Sequence, residues 1–387
     1  MTRQTQISLL VLVTAALGCG DSGAAPVEPY EWNLPSNIPL PRVPDDNPMS
    51  DEKIELGRFL FYDTKLSANE TQSCGSCHLQ ELAFTDGLEV SEGSTGQFTP
   101  RSSMSLANVG YTATLTWANR ALVLLEQQAR VPMFGENPIE LGLSSLDNDE
   151  LLDRFRNDPD YPDMFASAFP GESDPINVSN ITKAIATFQR RLTSFNSPYD
   201  RHTRGDTTAL NESERRGLEL FFGGTNAAGI DDALECFHCH GGFLLSQAQD
   251  EAMNVFDQST FINNGLYNLD EQGSYPPGNE GIFEETADPR DKGKFKPPTL
   301  RNIAVTGPYM HDGSIATLDE VIDHYARGGR LIEEGPLAGD GALNPNKNGF
   351  LDGFVLTEQE RADLKAFLLT LTDDEFLNDP AYSNPFE

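Results

Sequence analysis

Cys74-Gly75-Ser76-Cys77-His78 and Cys236-Phe237-His238-Cys239-His240 decide the reading of this chain. Each is a C-x-x-C-H string, the spacing of covalent c-type haem attachment. The two thiols of a string add across the two vinyl groups of one haem, and the adjoining histidine ligates the iron. Together the strings use four of the five cysteines. The rival readings are a zinc half-site and a disulfide. Zinc wants further sulfur or nitrogen ligands, and outside the strings only His202, His311 and His324 remain. A thioredoxin-like dithiol would not repeat with a trailing histidine. Two covalent haems are therefore expected, one on Cys74 and Cys77 with axial His78, the other on Cys236 and Cys239 with axial His240.

The chain has 387 residues, room for one large or two ordinary domains. Residues 1–18 read as a secretory signal peptide, with Arg3 and then an apolar run from Ile7 to Leu17 too short to stay in a membrane. Ala16-Leu17-Gly18-Cys19 resembles a bacterial lipobox, with alanine where leucine is usual, and would make Cys19 a lipidated N-terminus. The other reading is an ordinary signal peptidase site with a spare cysteine. With the other four cysteines on haem, Cys19 has no partner, which favours the anchor. Covalent haem is assembled outside the cytoplasm, so both readings place the mature chain in the periplasm, with lipid as its one link to a membrane. Net charge is -33, from 60 acidic and 27 basic residues. That excess argues against nucleic acid and anionic membrane surfaces as partners. It would steer a basic partner; a solvated acidic surface is the plainer reading.

Residues 19–46, rich in Pro, Gly and acids, read as a tether and a strap on the globular body. A helix is expected from Asp51, where Ile54, Leu56, Phe59, Leu60 and Phe61 recur at helical spacing. Residues 79–112 look irregular. Helices are expected over Leu115 to Arg130, Asp149 to Phe155, and Val178 to Leu192, the last capped by Asn177 or Ser179. The plan then repeats. Glu212 to Phe222 is again an apolar-striped helix ahead of a haem string, and Leu56-Gly57-Arg58-Phe59-Leu60-Phe61 parallels Arg216-Gly217-Leu218-Glu219-Leu220-Phe221. Ser105-Leu106-Ala107-Asn108-Val109 likewise parallels Thr299-Leu300-Arg301-Asn302-Ile303. The fold class that follows is mainly α: two cytochrome-c-like helical haem domains with long loops, related by internal duplication. The first spans 47–197 and the second 198–387. Asp257 to Pro298 reads as a long loop excursion over a haem or a partner. The last clear helix is Leu318 to Arg327, with Thr317 and Glu320 as a capping box and Gly328-Gly329 as its stop. On a helical wheel Leu318, Ile322 and Tyr325 share the inward face, and His324 points away from it.

From about residue 45 to 375 the chain resembles the bacterial di-haem cytochrome c peroxidase and MauG family. The phrases that carry the resemblance are the two haem strings, Asn137-Pro138-Ile139-Glu140-Leu141-Gly142, Pro298-Thr299-Leu300-Arg301-Asn302, and Gly307-Pro308-Tyr309-Met310-His311-Asp312-Gly313. The resemblance implies hydrogen peroxide cleavage at the first, peroxidatic haem with electrons passed through the second, electron-transfer haem. Classical members block the first iron with a histidine after a Ser-x-Gly phrase. Here Ser91-Glu92-Gly93 is followed by Ser94, and no histidine lies between His78 and His202. Classical members also use a methionine on the second haem, fourteen residues after the histidine of the His-Asp-Gly phrase. That count from His311 lands on Tyr325. A tyrosine ligand resembles MauG and lowers the potential. Met310 and His324 are the other candidates, with Tyr325 then a core aromatic.

Glu140 matches the family's distal glutamate, which moves a proton between the peroxide oxygens. Gln128 matches the pocket glutamine. Trp117 matches the tryptophan that relays electrons between the haems, against the plainer reading of a core tryptophan. The spacing from Trp117 to Glu140 exceeds the family pattern. The resemblance also implies a calcium ion on Ser102, Thr306 and Pro308, with Ser102 replacing the usual asparagine by a weaker ligand. Members often form homodimers. Around Trp117 and from Ile315 to Arg330 the wording is similar to the MauG-like branch that includes the methanobactin-cluster enzyme MbnH, which converts a tryptophan of a copper-binding partner to kynurenine. The expected function is thus a peroxidase that forms a high-valent di-haem state, stabilised by Tyr325, and oxidises a residue of a periplasmic partner protein. Two rivals stand beside it: a classical peroxidase taking electrons from a small cytochrome or copper protein, and a non-enzymatic di-haem electron carrier.

Overall fold

The computed structural model describes residues 30–223, 234, 236–249 and 261–387. Cys19 and the signal segment lie outside the described residues. Among those described, regular structure is almost all helical, with one two-stranded ribbon, Leu331–Ile332 against Gly339–Asp340. The helices are α1 (Asp51–Tyr62), α2 (Leu125–Gln128), α3 (Arg130–Phe134), α4 (Asn148–Arg156), α5 (Tyr161–Ala168), α6 (Val178–Arg191), α7 (Pro198–Thr203), α8 (Glu212–Phe222), α9 (Phe283–Thr286), α10 (Leu318–Arg327), α11 (Glu358–Leu369) and α12 (Asp374–Asn378). Among the described residues no helix is long and apolar enough to cross a membrane.

Two glycines set the architecture. A Cβ at Gly57 of α1 would overlap the Ala184 carbonyl oxygen of α6 and lie 2.9 Å from the Phe188 Cβ. A Cβ at Gly217 of α8 would overlap the Asp363 carbonyl oxygen of α11 and lie 2.7 Å from the Phe367 Cβ. Each pair therefore packs backbone to backbone, closer than any side chain permits. Around the first crossing gather Leu56, Leu60, Phe61, Phe155, Phe165, Ile181 and Phe188; around the second, Phe221, Ile322, Leu364 and Phe367. The parallel phrases fold alike. Asn108 and Asn302 are left-handed, at φ 58 and 60. Their amides donate to the Leu192 and Leu371 carbonyls, both at 2.8 Å. Their side-chain oxygens accept from the Ser194 and Asp373 amides, also both at 2.8 Å.

Arg301 ties these parts together. Its guanidinium is buried and forks onto Asp200 at 2.8 and 2.9 Å, while donating to the Ser194 and Phe243 carbonyls. Asp200 is itself held by the Ser197 cap of α7. The strap is present at 32–46: Leu34 and Ile38 pack against Tyr111, Phe195 and Leu244.

Three expectations need correction. Leu115 to Arg130 is not one helix, since only α2 and the start of α3 are helical there. The Asn119 side chain accepts from the Ala121 and Leu122 amides and Thr116 sits at φ 63, so a local turn outcompetes the helix. Leu318–Arg327 is not the last helix; α11 follows, opened by the capping box Thr357 and Glu360. And His324 does not point to solvent: it is 4% exposed. Helix α10 is covered on two sides, by α11 over Leu318 and Ile322 and by the backbone at Asn264 over His324.

Gly57→Ala and Gly217→Ala should each cost about 1–3 kcal/mol by forcing packed helices apart. Thermal unfolding of the purified haem protein should show both melting below wild type, whereas alanine at exposed Gly349, which has open space around it and no positive φ, should not.

Candidate functional site

Helix α1 runs into the first haem string, which forms a short 3-10 turn at Cys74–Ser76. His78 follows, with its Nδ1 2.6 Å from the Phe84 carbonyl. In the second string His240 places Nδ1 3.3 Å from the Leu245 carbonyl. Phe84 and Leu245 are both left-handed, at φ 63 and 53, which turns each carbonyl onto the ring. A carbonyl only accepts, so Nδ1 carries the proton in both rings and Nε2 keeps its lone pair for a metal. Burial lowers the pKa of both imidazoles, His240 to about 4, and keeps them neutral. Burial also raises the four thiols, Cys74 and Cys236 to about 12 and Cys77 and Cys239 to about 11. Among the described residues no three His, Cys, Asp or Glu side chains gather as a metal site. The thioether reading of the strings fits; the zinc reading does not.

Each string opens on its own cavity. Cavity one, about 590 Å³, is bounded by Cys74, Cys77, His78, Gln128 and Glu140. Cavity two, about 340 Å³, is bounded by Cys236, Cys239, His240 and Tyr325. Trp117 lines both, as do Lys296, Tyr309 and Met310. The indole Nε1–H donates to the Ser102 carbonyl at 2.9 Å, which fixes the ring in the partition. Both cavities have the paired thiols and the free imidazole nitrogen that a covalently attached haem requires.

In cavity one His78 is the one imidazole among the lining residues. Glu140 is half-buried, and desolvation raises its carboxyl above the usual range. Its backbone is pinned from the Ser91-Glu92-Gly93 loop. A Cβ on Gly93 would overlap the Ile139 carbonyl oxygen and lie 3.0 Å from the Glu140 Cα, and the Ser94 amide donates to the Glu140 carbonyl at 2.7 Å. Pro132 also lines this cavity.

In cavity two Tyr325 faces the string, and its acidity is perturbed by Cys239 and Cys236. Burial pushes its phenol up to about 12, while the Asn264 side chain favours the anion. Met310 is left-handed at φ 74, and its sulfur accepts from the Asn264 amide at 3.3 Å. His324 lies outside the lining of cavity two.

Calcium fits less well. The Ser102 hydroxyl is spent on the Met310 carbonyl at 3.2 Å. With Thr306 and Pro308 it would offer a hydroxyl and two carbonyls and no carboxylate, a poor set for a cation that takes six or more oxygens.

Two residues carried no signal in the sequence. Lys296 is 5% exposed, lies between the cavities and donates to the Thr114 carbonyl at 3.0 Å. Burial lowers its ammonium to about 7. Asn264 reaches cavity two from the loop excursion. Neither sits in a recognisable phrase, so only the fold places them.

Comparison with known proteins follows the same lines. The profile described as di-haem cytochrome c peroxidase matches residues 51–208. The chain is 34% identical over 398 positions to the cytochrome-c peroxidase IdrP1 of Pseudomonas sp., covering 99% of this chain and 96% of that protein. It is 33% identical to the methylamine utilization protein MauG of Methylorubrum extorquens, covering 88% and 83%. The crystal structure of a MauG-like protein associated with microbial copper homeostasis superposes with a TM-score of 0.88 at 52% identity, covering 92% of this chain and all of that one.

Gly93→Ala should displace the Ile139–Glu140 segment. Both haems should remain attached by pyridine haemochrome assay, while the rate of cyanide binding to the ferric protein changes. An unchanged rate would mean that the loop does not set the wall of cavity one.

Proposed function

The chain belongs to the di-haem cytochrome c peroxidase family, and from that premise we propose that it couples the reduction of hydrogen peroxide to the oxidation of a residue in a partner protein. It is an oxidoreductase of the di-haem peroxidase class. One observation carries the MauG-like reading: among the described residues that line cavity one there is no second histidine, and Tyr325 lines cavity two together with the second string. The haems, when bound, supply the electron-transfer chemistry.

In peroxide reduction two electrons and two protons convert one hydrogen peroxide to two waters. Glu140, as carboxylate, accepts the proton of the oxygen nearer the iron and returns it to the outer oxygen, which leaves as water. Gln128 orients the peroxide. Trp117, held by Ser102, passes electrons across the partition. Tyr325 would hold the second iron through its phenolate oxygen once the haem is bound, and the Asn264 amide favours that anion. The Asn264 contact also occupies the Met310 sulfur, which supports tyrosine over methionine. The haem-bearing halves are 47–197 and 198–387, and the mature chain works in the periplasm, held there by Cys19 if that residue is lipidated. We place the substrate residue, a tryptophan oxidised to kynurenine, in a copper-binding partner. Similarity to a MauG-like protein associated with microbial copper homeostasis supports that assignment.

The test adds stoichiometric peroxide to the diferric protein without reductant and follows optical and Mössbauer spectra. Both irons should respond, and Tyr325→Phe should abolish or shorten the oxidised state. Reaction only after one haem is reduced would return the protein to the classical peroxidases. No reaction in either state would leave an electron carrier. Glu140→Gln should slow the reaction about 10²–10⁴-fold. Because burial raises Glu140, the protonated, inactive form persists to higher pH than for an ordinary glutamate. The wild-type rate should therefore fall as pH drops through a midpoint above the ordinary range, and Glu140→Gln should lose that limb.

A further inference from the structure

The loop excursion over residues 261–295 builds its own small core from Phe261, Leu266, Tyr267, Tyr275, Ile282 and Phe295, and Trp117 packs against it. Its rings form an unbroken series leading away from the partition. Trp117 meets His311 edge to face, with centroids 6.5 Å apart. His311 stacks on Phe295 at 3.6 Å. Tyr275 lies 6.4 Å from His311 and 6.3 Å from Phe295. Tyr267 lies 5.5 Å from Tyr275. All but Trp117 are buried.

The two tyrosines differ in their proton partners. Tyr275 donates to the amide oxygen of Asn263 at 3.0 Å, and an amide is no base. Tyr267 donates to the Asp312 carboxylate at 2.7 Å. Asp312 sits below the usual carboxylate range: burial raises it, but His311 and bonds from Tyr267 and Ser314 outweigh that. A phenol becomes easy to oxidise when its proton has somewhere to go within hydrogen-bond reach. Of the rings in this series, Tyr267 alone has a carboxylate acceptor.

We propose that Tyr267 is a redox-active tyrosine, with Asp312 as its proton acceptor and the Trp117–His311–Phe295–Tyr275 series as its connection to the haem partition. One electron passes from Tyr267 to Trp117 that has lost an electron, restoring the indole. The Tyr267 O–H bond breaks, its proton moves to Asp312 Oδ2, and a neutral phenoxyl radical and a carboxylic acid remain. The oxidant is hydrogen peroxide, which the peroxidase activity already consumes. Tyr267 is 3% exposed, so it cannot meet a protein substrate. Its role is to hold or drain an oxidising equivalent that no substrate has taken.

This rests on the relay role of Trp117 in the proposed function, so the oxidising equivalent is supplied in two ways. Peroxide is added to the diferric protein, and separately a ruthenium photo-oxidant is flashed in the same holoprotein. Samples are freeze-quenched for electron paramagnetic resonance, with ring-deuterated tyrosine to separate tyrosyl from tryptophanyl signals. A tyrosyl signal should appear by both routes, vanish in Tyr267→Phe and fall severalfold in Asp312→Asn. Tyr161→Phe is the control, because Tyr161 also donates to a carboxylate, Asp63 at 2.7 Å, but its ring packs edge-on against Phe155 and tilted against Phe165 instead. The signal should survive that change. A signal by flash alone would support Tyr267 and fault the peroxide reading. A tyrosyl signal undiminished in Tyr267→Phe, or none by either route, would overturn the assignment.

Discussion

Two helices can lie carbonyl against backbone only where one of them lacks a side chain, and this molecule depends on that constraint twice. Gly57 lets α1 sink onto α6, and Gly217 lets α8 sink onto α11. Each sunken helix leads toward a C-x-x-C-H string, so the depth of the crossing sets where the thiols and the histidine emerge. The left-handed asparagines at 108 and 302 then anchor the following segments to the far end of each crossing. With those anchors in place, the Phe84 and Leu245 carbonyls orient the two imidazoles.

The two cavities built this way are chemically unequal. Cavity one has the half-buried Glu140 carboxyl, Gln128 and a single imidazole. Cavity two has Tyr325 and two imidazoles, His240 and His311, in its wall, while Tyr309 and Met310 line both. Neutrality is the common theme, because burial raises thiols and phenols and lowers imidazoles and the Lys296 ammonium. Arg301 and Asp200, both buried, satisfy each other through two hydrogen bonds.

Local signals were dependable where the chain's own neighbours decide the outcome. The cap of α10, the cap of α6 at Asn177 and the matching phrases around Gly57 and Gly217 all stand in the structure. Leu115 to Arg130 failed because apolar spacing says nothing about an Asn119 side chain that prefers the backbone of its own turn. Helix α11 was legible, since Thr357 and Glu360 form the same box as Thr317 and Glu320. His324 was misplaced for a different reason: a helical wheel assumes one buried face, and α10 has two.

What the sequence by itself determined is the cofactor chemistry, the helical class and the candidates Glu140, Gln128, Trp117 and Tyr325, because each is carried by a short phrase or a fixed count along the chain. Only the tertiary structure decided which side chains share a cavity. Trp117 and Lys296 lie far apart in sequence, yet they meet in one partition; Asn264 reaches Tyr325 and Met310 from a loop with no helical pattern. The Tyr267–Asp312 pair is of the same kind. Such contacts depend on how loops close over a packed core, and spacing along a chain cannot encode a distance between its folds.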